Sequence, residues 1–176
     1  MICDEIEEWD VYDAHRQLTG RKMMRGSPIA TGDFHLVVHL CLFSLDGRML
    51  LQKRAPTKSG WTNYWDISCG GSAVSGEDSQ QAMAREAVEE IGFIHDFAPE
   101  RPVFTVVTPV QFDDHYFLSA DVDPMSMVLQ RLEVSRVQWF TFSQIEDLIR
   151  SDECIPYPYW STIFEKYNEW FLRNSR

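Results

Sequence analysis

One long apolar run, at residues 34–43, stands out in the first third of the chain. Its length without a break predicts a central strand that is buried on both faces. Alternation along a strand places His35 and His39 on one face and the leucines of the run on the other. The turn Asp46-Gly47 leads into a second strand, residues 48–54, which we expect to pair with the first in antiparallel fashion.

The rest of the chain alternates short apolar segments with polar breaks. The pattern predicts, in order, a hairpin over 9–25, a short strand at 65–69, a helix from Asp78 or Ser79 to Gly92, strands at 103–110, 115–120 and 134–142, and helices at 144–150 and 159–172. Residues 111–114 are predicted as a connection, and residues 55–64 and 121–132 as loops. These elements indicate one domain over residues 1–176, of α/β class in its α+β form.

The last predicted helix carries a broad aromatic stripe after the breakers Pro156 and Pro158. Such a stripe at helical spacing most often packs inside a protein. It also suits contact with a second copy of the chain, so we keep a homodimer as the alternative use of this surface.

The chain is strongly acidic, with a net charge of −11 from 16 basic and 27 acidic residues. This charge disfavours binding to a nucleic-acid polymer or to an anionic membrane, so a small phosphate compound would need a local cation to bind. The sequence has neither a run of transmembrane length nor the pattern of a signal peptide. Its four cysteines lack disulfide-like spacing. We therefore expect a cytoplasmic protein with reduced thiols.

Glu86, Glu89 and Glu90 lie together on the predicted helix that ends at Gly92. Positions i, i+3 and i+4 share one side of a helix, so the three carboxylates project into a common arc. Like charges this close repel, and a cation is the natural reason to keep them together. Carboxylate oxygens suit Mg²⁺ or Mn²⁺ rather than zinc. The opposite stripe is apolar and is expected to pack on a sheet; it comprises Ala84, Ala87, Val88 and Ile91.

The same segment carries a longer spacing pattern over residues 71–93. It reads Gly71, five residues, Glu77, seven residues, Arg85-Glu86, an apolar residue, any residue, Glu89-Glu90, any residue, then Gly92 and an apolar residue. This pattern resembles the signature of the Nudix hydrolases, with Ala87 where a larger aliphatic residue is commoner. The resemblance covers about residues 34–150. It implies a mixed β-sheet sandwiched between helices, and hydrolysis of a diphosphate linked to another group.

The resemblance also implies roles for the residues of the motif. Glu86 and Glu90 are expected to bind the metal, assisted by the carbonyl group of Gly70. Glu89 is expected to act as a further ligand or as the base, and Glu77 to act through water. Arg85 lies one turn from Glu89, so we expect it to orient the carboxylates rather than to contact substrate.

The sequence leaves the general base and the substrate contacts open. Besides Glu89, the candidates for the base are Glu133, Asp113 and Asp114, although Glu133 is equally well read as a surface charge. Arg54 is a candidate phosphate contact, against the alternative of a solvated charge. Trp61 and Trp65 flank the entry to the motif and could stack on a base or line a prenyl chain, although packing is the commoner use of a tryptophan.

A second resemblance, to isopentenyl diphosphate isomerase, gives an alternative activity. It rests on segments outside the motif: His35-Leu-Val-Val-His-Leu, Asp46-Gly47, Leu50-Leu51, Lys53-Arg54, Trp61-Thr-Asn63 and Cys69-Gly70. Cys69 and His35 match parts of the isomerase site. Gly71 stands where the isomerases have a metal-binding histidine, and no glutamate lies between Glu100 and Glu133 to supply their second acid. The sequence therefore favours an isomerase-like hydrolase.

A third reading is a non-catalytic Nudix module that binds a nucleotide or a protein. Such modules typically have eroded carboxylates. Glu77, Glu86, Glu89 and Glu90 are all present, which favours an enzyme.

Overall fold

A mixed β-sheet with helices on both faces forms the body of the protein in the computed structural model, which describes residues 7–174. The strands are β1 (Glu8–Tyr12), β2 (Leu18–Met24), β3 (His35–Phe43), β4 (Met49–Arg54), β5 (Trp65–Asp66), β6 (Cys69–Ser72), β7 (Phe104–Val107), β8 (Gln111–Ser119) and β9 (Val134–Phe140). The helices are α1 (Ser79–Ile91), α2 (Phe142–Arg150) and α3 (Trp160–Asn174), with a short 3-10 turn at Pro124–Ser126. Cys3 lies outside the described residues.

Strand β3 is the centre of the main sheet, as its apolar run predicts. It pairs with β8 in parallel over its whole length, and with β6 and β4 in antiparallel fashion. The sheet continues outward through β4 to β5 and β9, and through β8 to β7. The pairing with β6 sets His39 opposite Gly70, so Gly70 and Gly71 lie beside the middle of the central strand.

Two hydrophobic clusters cover the two faces of this sheet. On one face, Leu36, Leu40 and the other leucines of β3 pack against α1. On the other face, Phe43 packs with α2 and α3 around Ile145 and Tyr167. The expected arrangement of a mixed sheet between helices is therefore confirmed, and most of the aromatic stripe of α3 lies in the core. The homodimer stays a prediction.

The N-terminal hairpin, β1 and β2, packs across the start of the motif. Asp10 accepts hydrogen bonds from the hydroxyl group of Ser75 (2.9 Å) and the backbone N–H of Gly76 (2.7 Å). The backbone N–H of Ser75 also donates to the carbonyl group of Glu8, at 2.7 Å. The hairpin thus holds the loop that connects β6 to α1.

Helix α1 has the predicted ends. Asp78 is its N-cap and forms a capping box with Gln81, and Gly92 ends it with a φ of 66°, a left-handed conformation that suits glycine. The packed side differs from the prediction, because Val88 is about half-exposed. Glu90 turns inward, and successive helical residues are about 100° apart, so Val88 faces the opposite way. The buried apolar residues are Ala82, Met83, Ala87 and Ile91.

Several predicted boundaries were wrong. The predicted strand at 65–69 is divided into β5 and β6, and β6 extends to Ser72. Residues 111–114 do not connect two strands, because β8 begins at Gln111 and contains both Asp113 and Asp114. The connection lies earlier, where the backbone N–H of Thr108 donates to the carbonyl group of Gln111, at 3.0 Å. Strand β9 ends at Phe140, and α2 begins two residues early because Thr141 caps it.

Residues 7–174 include no helix that is long and apolar enough to cross a membrane.

Candidate functional site

A cleft of about 440 Å³ opens where Gly70 and Gly71 of β6 meet the C-terminal half of α1. Its walls come from the hairpin, β3, β6, α1, β8, the loop at 55–64 and the segment after Pro156. The residues that supply polar groups to it are Arg25, His35, His39, Arg54, Lys58, Gly70, Gly71, Arg85, Glu86, Glu89, Glu90, Gln111, Asp113, Gln130, Glu133, Tyr157 and Tyr159.

Glu86 and Glu90 form the inner acidic wall of the cleft. Glu90 is buried and accepts hydrogen bonds from the backbone N–H of Gly70 and the side-chain amide of Gln52, both at 3.0 Å. Glu86 lies directly against Gly71, where an added Cβ would collide with its carboxylate group. A Cβ on Gly70 would collide with the carbonyl oxygen of Val38. The missing side chain at Gly71 therefore lets Glu86 lie against β6, and the missing side chain at Gly70 lets β6 pair closely with β3.

Arg85 gathers the other acids of the motif. Its guanidinium group donates to both carboxylate oxygens of Glu77, at 2.8 and 2.9 Å. It also donates to Glu86 at 2.8 Å and to Glu89 at 3.1 Å, and it reaches the carbonyl group of Ser72 at 3.0 Å. These contacts reach three of the four acids of the motif, and the orienting role expected for Arg85 stays a prediction.

Burial makes the inner acids hard to ionise without a cation. Burial raises the pKa of Glu86 to about 7, the nearby charge of Glu90 adds to the increase, and Arg85 opposes it. Burial also raises the pKa of Glu90, while Lys58, Gly70 and Gln52 lower it. An additional positive charge beside two adjacent, desolvated carboxyl groups would stabilise their ionised forms and lower both pKa values.

Lys58 is a cleft residue that the sequence did not single out. Its ammonium group lies 3.5 Å from Glu90 and also pairs with Glu133. Glu133 is therefore part of the cleft rather than an isolated surface charge. The loop at 55–64 has no periodic pattern, and a lysine in a polar loop is normally solvated, so no sequence signal distinguished it.

The three candidate substrate contacts have different positions. Arg54 lines the cleft, but its donors are directed to Asp66 at 3.2 Å and to the carbonyl groups of Ser59 and Gly60 at 3.3 and 3.2 Å. Trp65 is buried in the core against Phe140, so its prediction as a substrate contact was wrong. Trp61 is half-exposed and is absent from the cleft lining.

The two adjacent aspartates of β8 point to opposite faces of the sheet. Asp113 lines the cleft, and Gln111 donates to it at 2.6 Å. Asp114 lies on the other side and accepts hydrogen bonds from Ser79 and Thr105, both at 2.6 Å, and from Arg16. Asp113 therefore remains a candidate base, and Asp114 does not. Burial raises the pKa of Asp113, opposed by His39 and Gln111.

The residues shared with the isomerases lie near the cleft but are strongly desolvated. His35 stacks on Trp9 with ring centroids 4.2 Å apart, and burial lowers its pKa to about 4. Cys69 is buried in the cluster beneath α1, and burial raises the pKa of its thiol well above its ordinary value. A thiol in this state is a packing group and a poor proton shuttle.

The donor set fits a hard divalent cation. Among residues 7–174, no three His, Cys, Asp or Glu side chains already form a metal-binding group, and the acids of the motif pair with Arg85 and Lys58 instead. Glu86 and Glu90 nevertheless bring one partly buried and one buried carboxylate to the glycines of β6, with Glu89 and Glu77 beside them. Carboxylate oxygens in this arrangement suit Mg²⁺ or Mn²⁺. The ligand role of the Gly70 carbonyl group stays a prediction.

An acidic helix that follows a glycine-containing strand, on a mixed sheet between helices, defines the class of site that acts on pyrophosphate bonds. The chain belongs to the Nudix family, because the NUDIX domain model matches residues 33–157. It is 42% identical over 163 residues to the uncharacterized Nudix hydrolase lmo0368 of Listeria monocytogenes, covering 93% of this chain and 96% of that protein.

Two further relatives extend this comparison. The isopentenyl-diphosphate Delta-isomerase of Kocuria rhizophila is 26% identical over 171 residues, covering 93% of this chain and 92% of that protein. The crystal structure of DR0079 from Deinococcus radiodurans matches the fold with a TM-score of 0.76 at 24% identity, covering 92% of this chain and 99% of that one. The resemblance to isomerases is thus present among the relatives as well.

Proposed function

We propose that this Nudix hydrolase is a cytoplasmic, Mg²⁺- or Mn²⁺-dependent enzyme that cleaves the diphosphate linkage of a small molecule, such as a nucleoside diphosphate derivative. The observation that carries the proposal is the pair of carboxylates, the partly buried Glu86 and the buried Glu90, beside Gly70 and Gly71 in the cleft. A divalent cation held there would neutralise phosphate oxygens and activate water.

The other side chains of the motif would each have a separate role in the reaction. Glu86 and Glu90 would hold the metal, with Glu89 and Glu77 beside them, and Arg85 fixes the directions of these carboxylates. Water attacks one phosphorus atom, the bridging P–O bond breaks, and the two phosphate products leave. The proton of the water goes to a base, for which Glu89, Asp113 and Glu133 are the candidates that line the cleft.

The proposal is tested with a panel of nucleoside, sugar and prenyl diphosphates, scored for released phosphate products with and without Mg²⁺ or Mn²⁺. We expect metal-dependent cleavage of at least one class, and loss of more than about 100-fold in turnover with Glu86→Gln while the fold is kept. A Glu86→Gln variant with full metal-dependent activity contradicts the assignment. Single variants at Glu89, Asp113 and Glu133 then identify the base.

Isomerisation of isopentenyl diphosphate is the second candidate, favoured by Cys69, His35 and the isomerase relatives. Two observations count against it: Cys69 is buried in the core, and the Glu86 carboxylate group leaves no room for a side chain at Gly71. NMR detection of the allylic isomer, with Cys69→Ala as the comparison, separates the two activities. An isomerase activity that Cys69→Ala abolishes would reverse our preference.

A further inference from the structure

Two basic side chains pair with all four acids of the motif. Arg85 pairs with Glu77, Glu86 and Glu89. The fourth acid, Glu90, pairs with Lys58, which belongs to a loop remote in sequence. The two basic residues differ in their position in the sequence, because Arg85 is part of the motif and Lys58 lies outside it.

The position of Lys58 is unusual for a loop lysine. Its side chain is only 17% exposed, and the Glu90 side chain only 4%. Confining a lysine side chain costs about 1.5–2 kcal/mol in conformational entropy, and such side chains are rarely buried unless paired. The surrounding loop must therefore hold the ammonium group at the acids.

Two sets of hydrogen bonds anchor this loop. At its start, the backbone N–H of Ala55 donates to the carbonyl group of Glu133 (2.8 Å), and the Thr57 hydroxyl group donates to the carbonyl group of Leu132 (2.7 Å). Further along, the Arg54 guanidinium group holds the carbonyl groups of Ser59 and Gly60, at 3.3 and 3.2 Å. Lys58 lies between these two anchors.

The backbone of the loop is also strained just beyond Lys58. Trp61 and Asn63 have φ values of 48° and 63°, in the left-handed region that non-glycine residues rarely adopt. Strain of this kind persists only where surrounding contacts maintain it, and it is common at clamps and switches. The Arg54 bonds to the adjacent carbonyl groups supply such contacts.

We propose that Lys58 is an internal counter-ion of the acidic site, which a divalent cation must displace from Glu90 in order to bind. The proposal rests on the metal dependence proposed above. An ammonium group 3.5 Å from Glu90 and a divalent cation on the same carboxylate would repel each other strongly at this depth. Lys58 therefore lowers the affinity for metal, and the loop at 55–64 changes its contacts when metal binds.

The test is a titration of the substrate-free protein with Mn²⁺, following free Mn²⁺ by electron paramagnetic resonance. We expect Lys58→Gln to bind Mn²⁺ about tenfold more tightly than the wild type, because the competing charge is gone. Lys58→Arg keeps the charge and is expected to stay within about twofold of the wild type. Lys53→Gln is the matched control for net charge, because Lys53 contacts the ring of Trp65 and does not line the cleft.

The outcomes separate this proposal from the one on which it rests. Unchanged or weaker Mn²⁺ binding by Lys58→Gln overturns the counter-ion role, even if the wild type binds metal. A wild type that binds no Mn²⁺ overturns the proposed metal dependence itself, and the displacement with it. Thermal melting in chelator provides the control for folding. Lys58→Gln should melt below the wild type, because Glu90 and Glu133 lose their charged partner, and Mn²⁺ should close the gap.

Discussion

The ion pair between Arg16 and Asp114 should contribute more to stability than any other ion pair of the hairpin. Arg16 lies in the turn between β1 and β2, and its guanidinium group meets the carboxylate group of Asp114 on β8. Asp114 also accepts hydrogen bonds from Thr105 on β7 and Ser79 at the start of α1. One buried carboxylate thus joins the hairpin, two strands and the helix that carries the acids.

The magnitude follows from the burial of the two partners. Removing one partner of a fully buried pair costs about 3–5 kcal/mol. Asp114 is fully buried but Arg16 is 36% exposed, and the two hydroxyl donors remain, so we expect Arg16→Met to cost about 2 kcal/mol. For a chain of this size, that corresponds to a decrease of about 4–8 °C in the melting temperature.

The hairpin supplies its own matched control. Arg21 forms a two-bond contact with Asp33, at 2.6 Å for each bond, but the arginine is 58% exposed. Arg21→Met should therefore cost less than about 1 kcal/mol. The assay is thermal and urea unfolding of both variants beside the wild type. Equal losses for the two variants, or a smaller loss for Arg16→Met, would refute the argument from burial.

Two further predictions concern pH and the loop before α1. Because the pKa of His35 is lowered to about 4, this residue binds a proton below about pH 6.5 in the unfolded chain but only near pH 4 in the folded protein. The stability that depends on His35 should therefore be fully present above pH 6.5 and fall as the pH is lowered, with a loss of about 2 kcal/mol in the free energy of unfolding at pH 5. Urea unfolding at pH 7 and at pH 5 should show a smaller pH dependence for His35→Gln than for the wild type. Asp10→Ala removes the acceptor for Ser75 and Gly76, so it should weaken Mn²⁺ binding by about three- to tenfold. Asp33→Ala is its control, and equal Mn²⁺ affinities would contradict the role of Asp10.

The sequence predicted the elements whose causes are local. The start of α1 after Asp78, its end at Gly92 and the apolar run of β3 each depend on neighbouring residues, and each was found as expected. The acids of the motif are also local, because helical spacing alone places Glu86 and Glu90 together.

The features that the sequence did not predict depend on tertiary contacts. Aspartates disfavour a strand, yet β8 contains both Asp113 and Asp114. The side chain of Asp113 faces the cleft, and that of Asp114 accepts hydrogen bonds from buried donors. The sequence kept Trp65 as a candidate substrate contact, because its burial depends on core residues that are distant in sequence, such as Phe140. The position of Lys58 depends on anchors contributed by residues 132 and 133, about 75 residues away.

The central claim is that Glu86 and Glu90 jointly hold a divalent cation, and equilibrium Mn²⁺ binding to their glutamine variants tests it most directly. We expect Glu86→Gln and Glu90→Gln each to weaken binding by more than about 100-fold, because each removes a charged ligand from a buried site. Glu165→Gln, an exposed position on α3, should bind Mn²⁺ like the wild type. Wild-type affinity in both Glu86→Gln and Glu90→Gln would contradict the claim.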